Sequence, residues 1–169
     1  IRGEILAVFG KENTLSIATS HREGLSTPLY CVDLVKGQMS SVDIPVALSA
    51  ILESNNIFYA AGKDNKLYKI SAGKCESLCA LKEGIISLKI NDDEIFALSK
   101  SALYIINNSS GKTRESISLE KASAFDIDPS GKWLAVGFED GKIQAFSREE
   151  QVKFAAGESA AVHNTAVSH

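Results

Sequence analysis

Asn56-Ile57-Phe58-Tyr59-Ala60-Ala61-Gly62-Lys63-Asp64-Asn65-Lys66-Leu67-Tyr68-Lys69-Ile70 reads as an apolar strand, a polar turn and a second strand. The pattern recurs over residues 94–106 with a shorter turn, and again over 132–146. Each copy runs into a further polar turn: Ser71-Ala72-Gly73-Lys74, residues 107–112, and Ser147-Arg148-Glu149-Glu150. Single positions keep the register. Tyr30, Tyr68 and Tyr104 are 38 and 36 residues apart, and Gly37, Gly73 and Gly111 are 36 and 38 apart. A period near 38 approximates the roughly 40 residues of one four-stranded propeller blade. Two residue types sharing one period identify a repeat array.

The period divides the chain into four strands per repeat. Strands are expected at 4–9, 14–20, 29–34 and 39–44, then at 46–52, 57–62, 67–70 and 75–81. The third repeat gives 85–90, 95–99, 103–106 and 113–119, and the fourth gives 123–127, 133–137, 143–146 and 152–156. The corresponding blades are 4–45, 46–83, 84–120 and 121–159, with a fifth beginning at 160–169. The strands are rich in Ile, Leu, Val, Phe and Tyr, as a pleated half-buried surface favours. Ile86, Leu88 and Ile90 alternate with Ser87, Lys89 and Asn91, the period of a strand with one wetter face. Asp64-Asn65 and Asp140-Gly141 supply turns in which positive φ costs little. No segment has a 3.6-residue apolar period of helical length, so the fold class is all-β: one partial β-propeller domain spanning 1–169.

The fourth repeat carries a family likeness. Phe125-Asp126-Ile127-Asp128-Pro129-Ser130-Gly131-Lys132-Trp133-Leu134-Ala135-Val136-Gly137-Phe138-Glu139-Asp140-Gly141-Lys142-Ile143 resembles a WD repeat. The likeness lies in an apolar first strand, a D-P-S-G turn, a second strand ending in Gly, and a D-G turn into the third strand. His163 stands where WD repeats place the histidine of their inter-blade loop. The other repeats share the spacing but little of the signature, and no third strand ends in Trp-Asp, so the His, Ser/Thr, Asp and Trp set of that family is incomplete. The resemblance implies a seven-bladed ring. Four blades do not close one, so the chain is expected to be part of a larger propeller.

Composition bounds the partners. A net charge of −3 and a pI near 5.7 give no basic field for nucleic acid or anionic membrane. No apolar run approaches the roughly 20 residues of a membrane span, so no membrane insertion is expected. Cys31, Cys75 and Cys79 are too few and too oddly spaced for a disulfide framework. In a regular strand Cys75 and Cys79 share a face about 13 Å apart, which excludes a bond and leaves small packed thiols suited to an intracellular, reducing compartment.

Chemistry-bearing motifs are absent from the sequence. His21, His163 and His169 have no ligand partner at metal-binding spacing, and neither G-x-S-x-G, a P-loop nor G-x-G-x-x-G occurs. Asn91-Asp92-Asp93-Glu94 has the charge of a cation site but sits where a polar turn is required. Trp133 aligns with Phe58 and Phe96 and is expected in the core between blades. One loop, residues 20–28, is longer than its counterparts, and extra length in a repeat maps to a surface that carries recognition. His21, Arg22 and Glu23 in it are the candidate contact residues.

These readings give a non-enzymatic platform for other proteins, with no catalytic residue, cofactor or metal implied. WD-repeat likeness implies the same role. The alternative is a propeller enzyme or accessory protein of the quinoprotein-like or lactonase-like type, whose site draws residues from many blades. Phosphoinositide-binding propellers carry an Arg-Arg pair, which this chain lacks.

Overall fold

The computed structural model describes residues 4–20, 26–149 and 153–161. They form four antiparallel sheets, each built from four strands consecutive in the chain. Sheet one contains β1 (Glu4–Lys11), β2 (Thr14–Ser20), β3 (Thr27–Asp33) and β4 (Gln38–Ile44). Sheet two contains β5 (Leu48–Ser54), β6 (Ile57–Gly62), β7 (Lys66–Ser71) and β8 (Lys74–Ala80). Sheet three is β9 (Ser87–Asn91), β10 (Glu94–Leu98), β11 (Ala102–Asn107) and β12 (Thr113–Ser118). Sheet four is β13 (Ala122–Ile127), β14 (Trp133–Phe138), β15 (Lys142–Ser147) and β16 (Ala155–Ala161). This meander of four-stranded sheets is the blade architecture of a β-propeller. The chain divides into two compact units, Ile1–Gly84 and Ile85–His169, each holding two of the sheets.

The turn residues act as their chemistry dictates. Gly37, Gly73 and Gly111, the periodic glycines, all close third-to-fourth strand turns with φ of 63°, 76° and 68°, where a Cβ would be strained. Asp33 and Asn107 precede two of them and accept hydrogen bonds from backbone N–H groups two and three residues on. Gly62 is needed for space: a Cβ there would lie 2.3 Å from Asp64 Oδ1 and 2.9 Å from Val46 Cγ1.

Each unit buries a core between its two sheets. In the first, Ala18, Leu29 and Ile44 of sheet one meet Phe58, Ala60, Tyr68 and Ile70 of sheet two. In the second, Phe96, Leu98, Leu103 and Ile105 of sheet three meet Phe125, Leu134, Val136 and Phe146 of sheet four. Each buried Leu, Ile, Val or Phe among them contributes about 1.5–3 kcal/mol by leaving water.

Three expectations change. Trp133 is 59% exposed and outside that core. It shares β14 with Leu134 and Val136, which are buried, and an offset of one residue in a strand reverses the face. Leu134, one residue later, holds the core position. Secondly, Cys75 and Cys79 lie on opposite faces. Cys75 pairs with Ile70 and Cys79 with Leu67, but a bulge between the Leu67 and Tyr68 pairings inserts one residue into β8 and turns the strand over. Finally, the last strand of the fourth repeat begins at Ala155, and Ala160 pairs with Ile143 inside it, so Ala160 does not open a fifth blade. The strand starts late because Phe154 leaves the ladder: its N–H bonds the Glu115 carboxylate and its ring is buried. Residues 162–169, including His163, lie outside the described residues.

Candidate ligand-binding groove

A buried arginine, Arg148, fills the seam between sheets three and four. Arg148 follows β15 and donates from Nη2 to Glu94 Oε2 at 2.5 Å and from Nε to the Gly131 carbonyl at 2.8 Å. Its guanidinium lies 4.6 Å from the Phe154 ring centre and 5.9 Å from that of Phe96. The two rings meet edge to face at 6.3 Å. Glu94 and Arg148 expose only 6% and 8% of their side chains. A second arginine, Arg114, reaches Glu94 at 3.0 Å and Asp93 at 2.5 Å from the exposed side. Around this centre Asn91 Nδ2 donates to the Asp128 and Pro129 carbonyls, and Lys89 pairs with Asp126 at 2.8 Å. Within the run at 91–94, Asn91 is committed to two carbonyls, and the Asp93 and Glu94 carboxylates serve as ion-pair acceptors for two arginines.

Strand register locates the same positions in the first unit. Glu94 pairs with Asn91 and Asn107 on either side, and Thr14 pairs likewise with Lys11 and Asp33. Phe96 lies between Lys89 and Ile105, and Ser16 between Phe9 and Cys31. On the facing sheet Leu134 pairs with Phe146, and Phe58 with Ile70; two residues further on stand Arg148 and Ala72. Phe154 precedes the partner of Ser147, and Gly73 precedes the partner of Ser71. The four groups that fill the second seam thus correspond to threonine, serine, alanine and glycine in the first.

Where the large groups are missing, a groove of about 480 Å³ opens, and Thr14, Ser16, Ala72 and Gly73 all line it. Its floor is Phe9, Phe58 and Ile70, with the two rings edge to face at 5.6 Å. Cys31 stands on the wall and accepts a hydrogen bond from Ser16 Oγ at 3.6 Å. The rim is polar. Lys11 Nζ donates to Asn56 Oδ1 at 3.2 Å, and the Asn56 N–H donates to Glu53 at 2.8 Å. Glu12 holds the tip of the β1–β2 turn at φ 50°. An apolar floor under a few fixed polar groups is the make-up of a site that binds an organic ligand, and the volume lies in the range of such sites.

Toward the other end of β7, Tyr68 donates its hydroxyl to Asp64 Oδ2 at 2.7 Å. Burial and the neighbouring carboxylate push the Tyr68 phenol up to about 12. Burial pushes Asp64 upward, but bonds from Tyr68 and Lys66 outweigh it and hold the carboxyl below its ordinary value. Burial also raises the thiols of Cys75 and Cys79.

His21, Arg22 and Glu23, the contact residues expected from sequence, lie outside the described residues. The groove and Arg148 were not found from sequence. Arg148 reads as one more polar turn residue, and the small residues of the groove acquire meaning only when the pairing registers of the two seams are laid side by side.

Comparison with known proteins places the fold. No family model matches the chain, and no curated protein matches it significantly. Solved structures do. Hsv2 of Kluyveromyces lactis superposes with a TM-score of 0.76 at 10% identity, covering 100% of this chain and 60% of that one. The computationally designed Ika4 protein gives 0.69 at 14% identity, covering 87% of this chain and 92% of that one. A chain in the S. cerevisiae complex of Dbp5 with Nup159, Gle1, IP6 and ADP gives 0.66 at 11% identity, over 96% and 44%. The fold is a β-propeller, and the chain spans about half to three-fifths of the length of the Hsv2 structures it matches.

Proposed function

We propose that this chain is a non-enzymatic interaction module that binds other proteins. The groove between sheets one and two is the observation that carries this reading. It offers an apolar floor, a carboxylate-bearing rim and exposed backbone turns, which suit a polypeptide segment. The charged groups on its rim are spread as binding contacts, with no nucleophile and base held in hydrogen-bond contact. One of the structural neighbours comes from a multiprotein assembly, which supports a binding role for this fold.

The same reading covers the apolar faces turned away from each core. Val8 and Met39 in sheet one are 52% and 60% exposed, and Trp133 and Ile143 in sheet four are 59% and 40% exposed. Covering by further blades of a WD-type ring accounts for such faces. Three free thiols suit a reducing, intracellular setting.

Selection of a random peptide display library against the purified chain, followed by calorimetric titration of the selected peptides, tests the binding role. Saturable binding with Kd of roughly 1–100 μM is expected. A selection that enriches no sequence overturns it.

A further inference from the structure

The first seam is open for a specific reason, and that reason identifies what fits it. The two seams share strand register and differ at four positions in it, while Phe9 of the first floor stands where the second seam has Lys89. Where the second seam has Glu94, Phe96, Arg148 and Phe154, the first has Thr14, Ser16, Ala72 and Gly73. The second seam therefore displays, within the same protein, the kind of group that such a space accommodates: an aromatic ring seated against apolar floor residues with a guanidinium stacked on it at 4.6 Å.

The open seam keeps the means to hold such a pair. Phe9 and Phe58 form an edge-to-face pair beside a space of about 480 Å³, which has room for a third ring. Its acids have moved. The carboxylate that meets Arg148 is replaced by Thr14, and Glu12 and Glu53 now line the rim. Lys11, the one cation lining the groove, is engaged with Asn56. The rim therefore carries more negative than positive charge, the complement of an incoming arginine.

We propose that the groove between sheets one and two binds an extended peptide segment of a partner protein that presents an aromatic side chain beside an arginine. The aromatic ring enters against Phe9, Phe58 and Ile70, in the space that Phe154 fills in the other unit. The guanidinium lies along the rim and bonds the Glu53 and Glu12 carboxylates. The proposal rests on the interaction reading above and gives that reading a ligand chemistry.

The test titrates short synthetic peptides, each with one arginine and one phenylalanine at varied spacing in glycine-serine flanks, against the chain and two variants. The best spacing is expected to bind the unaltered chain with Kd of roughly 1–100 μM, and replacing its Phe by Ala or its Arg by Gln weakens binding about tenfold or more. Ser16→Phe places a ring in the groove as Phe96 does in the other seam, and binding is lost. Glu53→Gln keeps the Asn56 hydrogen bond, weakens the arginine peptide about three- to tenfold, and leaves the Gln-substituted peptide unchanged. Alkylation of Cys31, read by mass spectrometry, slows when the peptide is present while Cys75 and Cys79 are unaffected. This last measurement and Glu53→Gln decide the matter even if Ser16→Phe misfolds.

Peptides from the display selection that bind Ser16→Phe as well as the unaltered chain, or that leave Cys31 alkylation unchanged, overturn the groove proposal and leave the interaction module standing. A concentration-dependent dimer abolished by Ser16→Phe overturns it too, because the occupant is then a second copy. Preference for acidic or purely aliphatic peptides overturns the ligand chemistry. Failure of both the designed panel and the library removes the interaction reading itself.

Discussion

Replacing Arg148 by alanine removes a cation from the centre of the seam between sheets three and four. The loss has three parts. The hydrogen bond to Glu94 at 2.5 Å is to an ionised partner and is worth about 1.5–3 kcal/mol. The stacking on Phe154 at 4.6 Å, in a site where the arginine is 8% exposed, adds about 1 kcal/mol. The bond to the Gly131 carbonyl adds a smaller amount. One feature limits the total: Glu94 is not left alone, because Arg114 still reaches it at 3.0 Å. The expected destabilisation is therefore about 3 kcal/mol, at the low end of the 3–5 kcal/mol seen when a buried pair loses one partner. For a chain of this size that lowers the midpoint of thermal unfolding by about 6–12 °C. Urea unfolding followed by the fluorescence of Trp133, the single tryptophan, reports on this unit directly, since Trp133 opens β14 and its carbonyl accepts from Asp128 N–H. The ranking is as informative as the size. Glu94→Ala strands Arg148 in the seam and costs more than Arg148→Ala. Arg114→Ala, at a side chain 38% exposed, costs about 1 kcal/mol or less. Equal losses for Arg148→Ala and Arg114→Ala, or a loss under about 0.5 kcal/mol for the former, refute the view that Arg148 closes the seam.

Stability should be flat across neutral pH and fall at both ends. Asp64 lies below its ordinary value despite burial, through Tyr68 and Lys66; Asp126 through Lys89; and Asp128 through Ser130. Their contribution is intact above about pH 3.9 and lost as pH falls through the lower folded values. Tyr68 shifts the other way, so its contribution is full below about pH 10 and lost as pH rises from there through about 12. The raised thiols of Cys75 and Cys79 begin that decline earlier, above about pH 8.5. Tyr68→Phe should cost about 1–2 kcal/mol at neutral pH and flatten the alkaline limb in a pH series of urea midpoints; an unchanged limb contradicts the assignment. Gly62→Ala should cost about 1–3 kcal/mol in the same assay, because the new Cβ meets Asp64 Oδ1 and Val46; a neutral result means the turn yields freely. Iodoacetamide at neutral pH should label Cys75 and Cys79 more slowly in the folded chain than in urea, and equal rates count against their burial.

Strand order, turn chemistry and the repeat length were legible in the sequence because each is a local property. The positive φ at Gly37, Gly73 and Gly111 needs only the turn they sit in. The alternation of Leu134 and Val136 with exposed neighbours needs only one strand. Errors began where one extra residue reversed a face. Leu134, not Trp133, holds the core position, and the bulge in β8 separates Cys75 from Cys79, because a bulge is fixed by pairing with β7 and leaves no mark in β8 itself. The long loop with His21, Arg22 and Glu23 stands out by its length, whereas the groove is lined by small side chains in β2 and in a turn of ordinary length.

The two seams show why the functional feature is the least legible of all. Repeats of one architecture need equivalent cores, and Phe58 with Ile70 answers Leu134 with Phe146. Outside that core each seam is free to diverge, and they have diverged in opposite directions. The second spends an arginine, two phenylalanines and a buried glutamate on closing itself, while the first places alanine, serine, glycine and threonine at the matching sites. Small residues at turns and strand ends are what any surface loop contains, so a single repeat offers no signal. The signal is the difference between two repeats at positions aligned by hydrogen-bond register. If the first seam were merely a less perfect copy, its missing volume would be taken up by closer packing of Phe9 on Phe58. Phe9 and Phe58 are already in edge-to-face contact at 5.6 Å, and a space of about 480 Å³ still lies beside them. Filling that space from within by Ser16→Phe should then stabilise the chain while it abolishes peptide binding, by about 1 kcal/mol for a ring that gains a neighbour at ordinary aromatic separation. A destabilised Ser16→Phe variant that still binds peptide as tightly as the parent contradicts both the register argument and the groove.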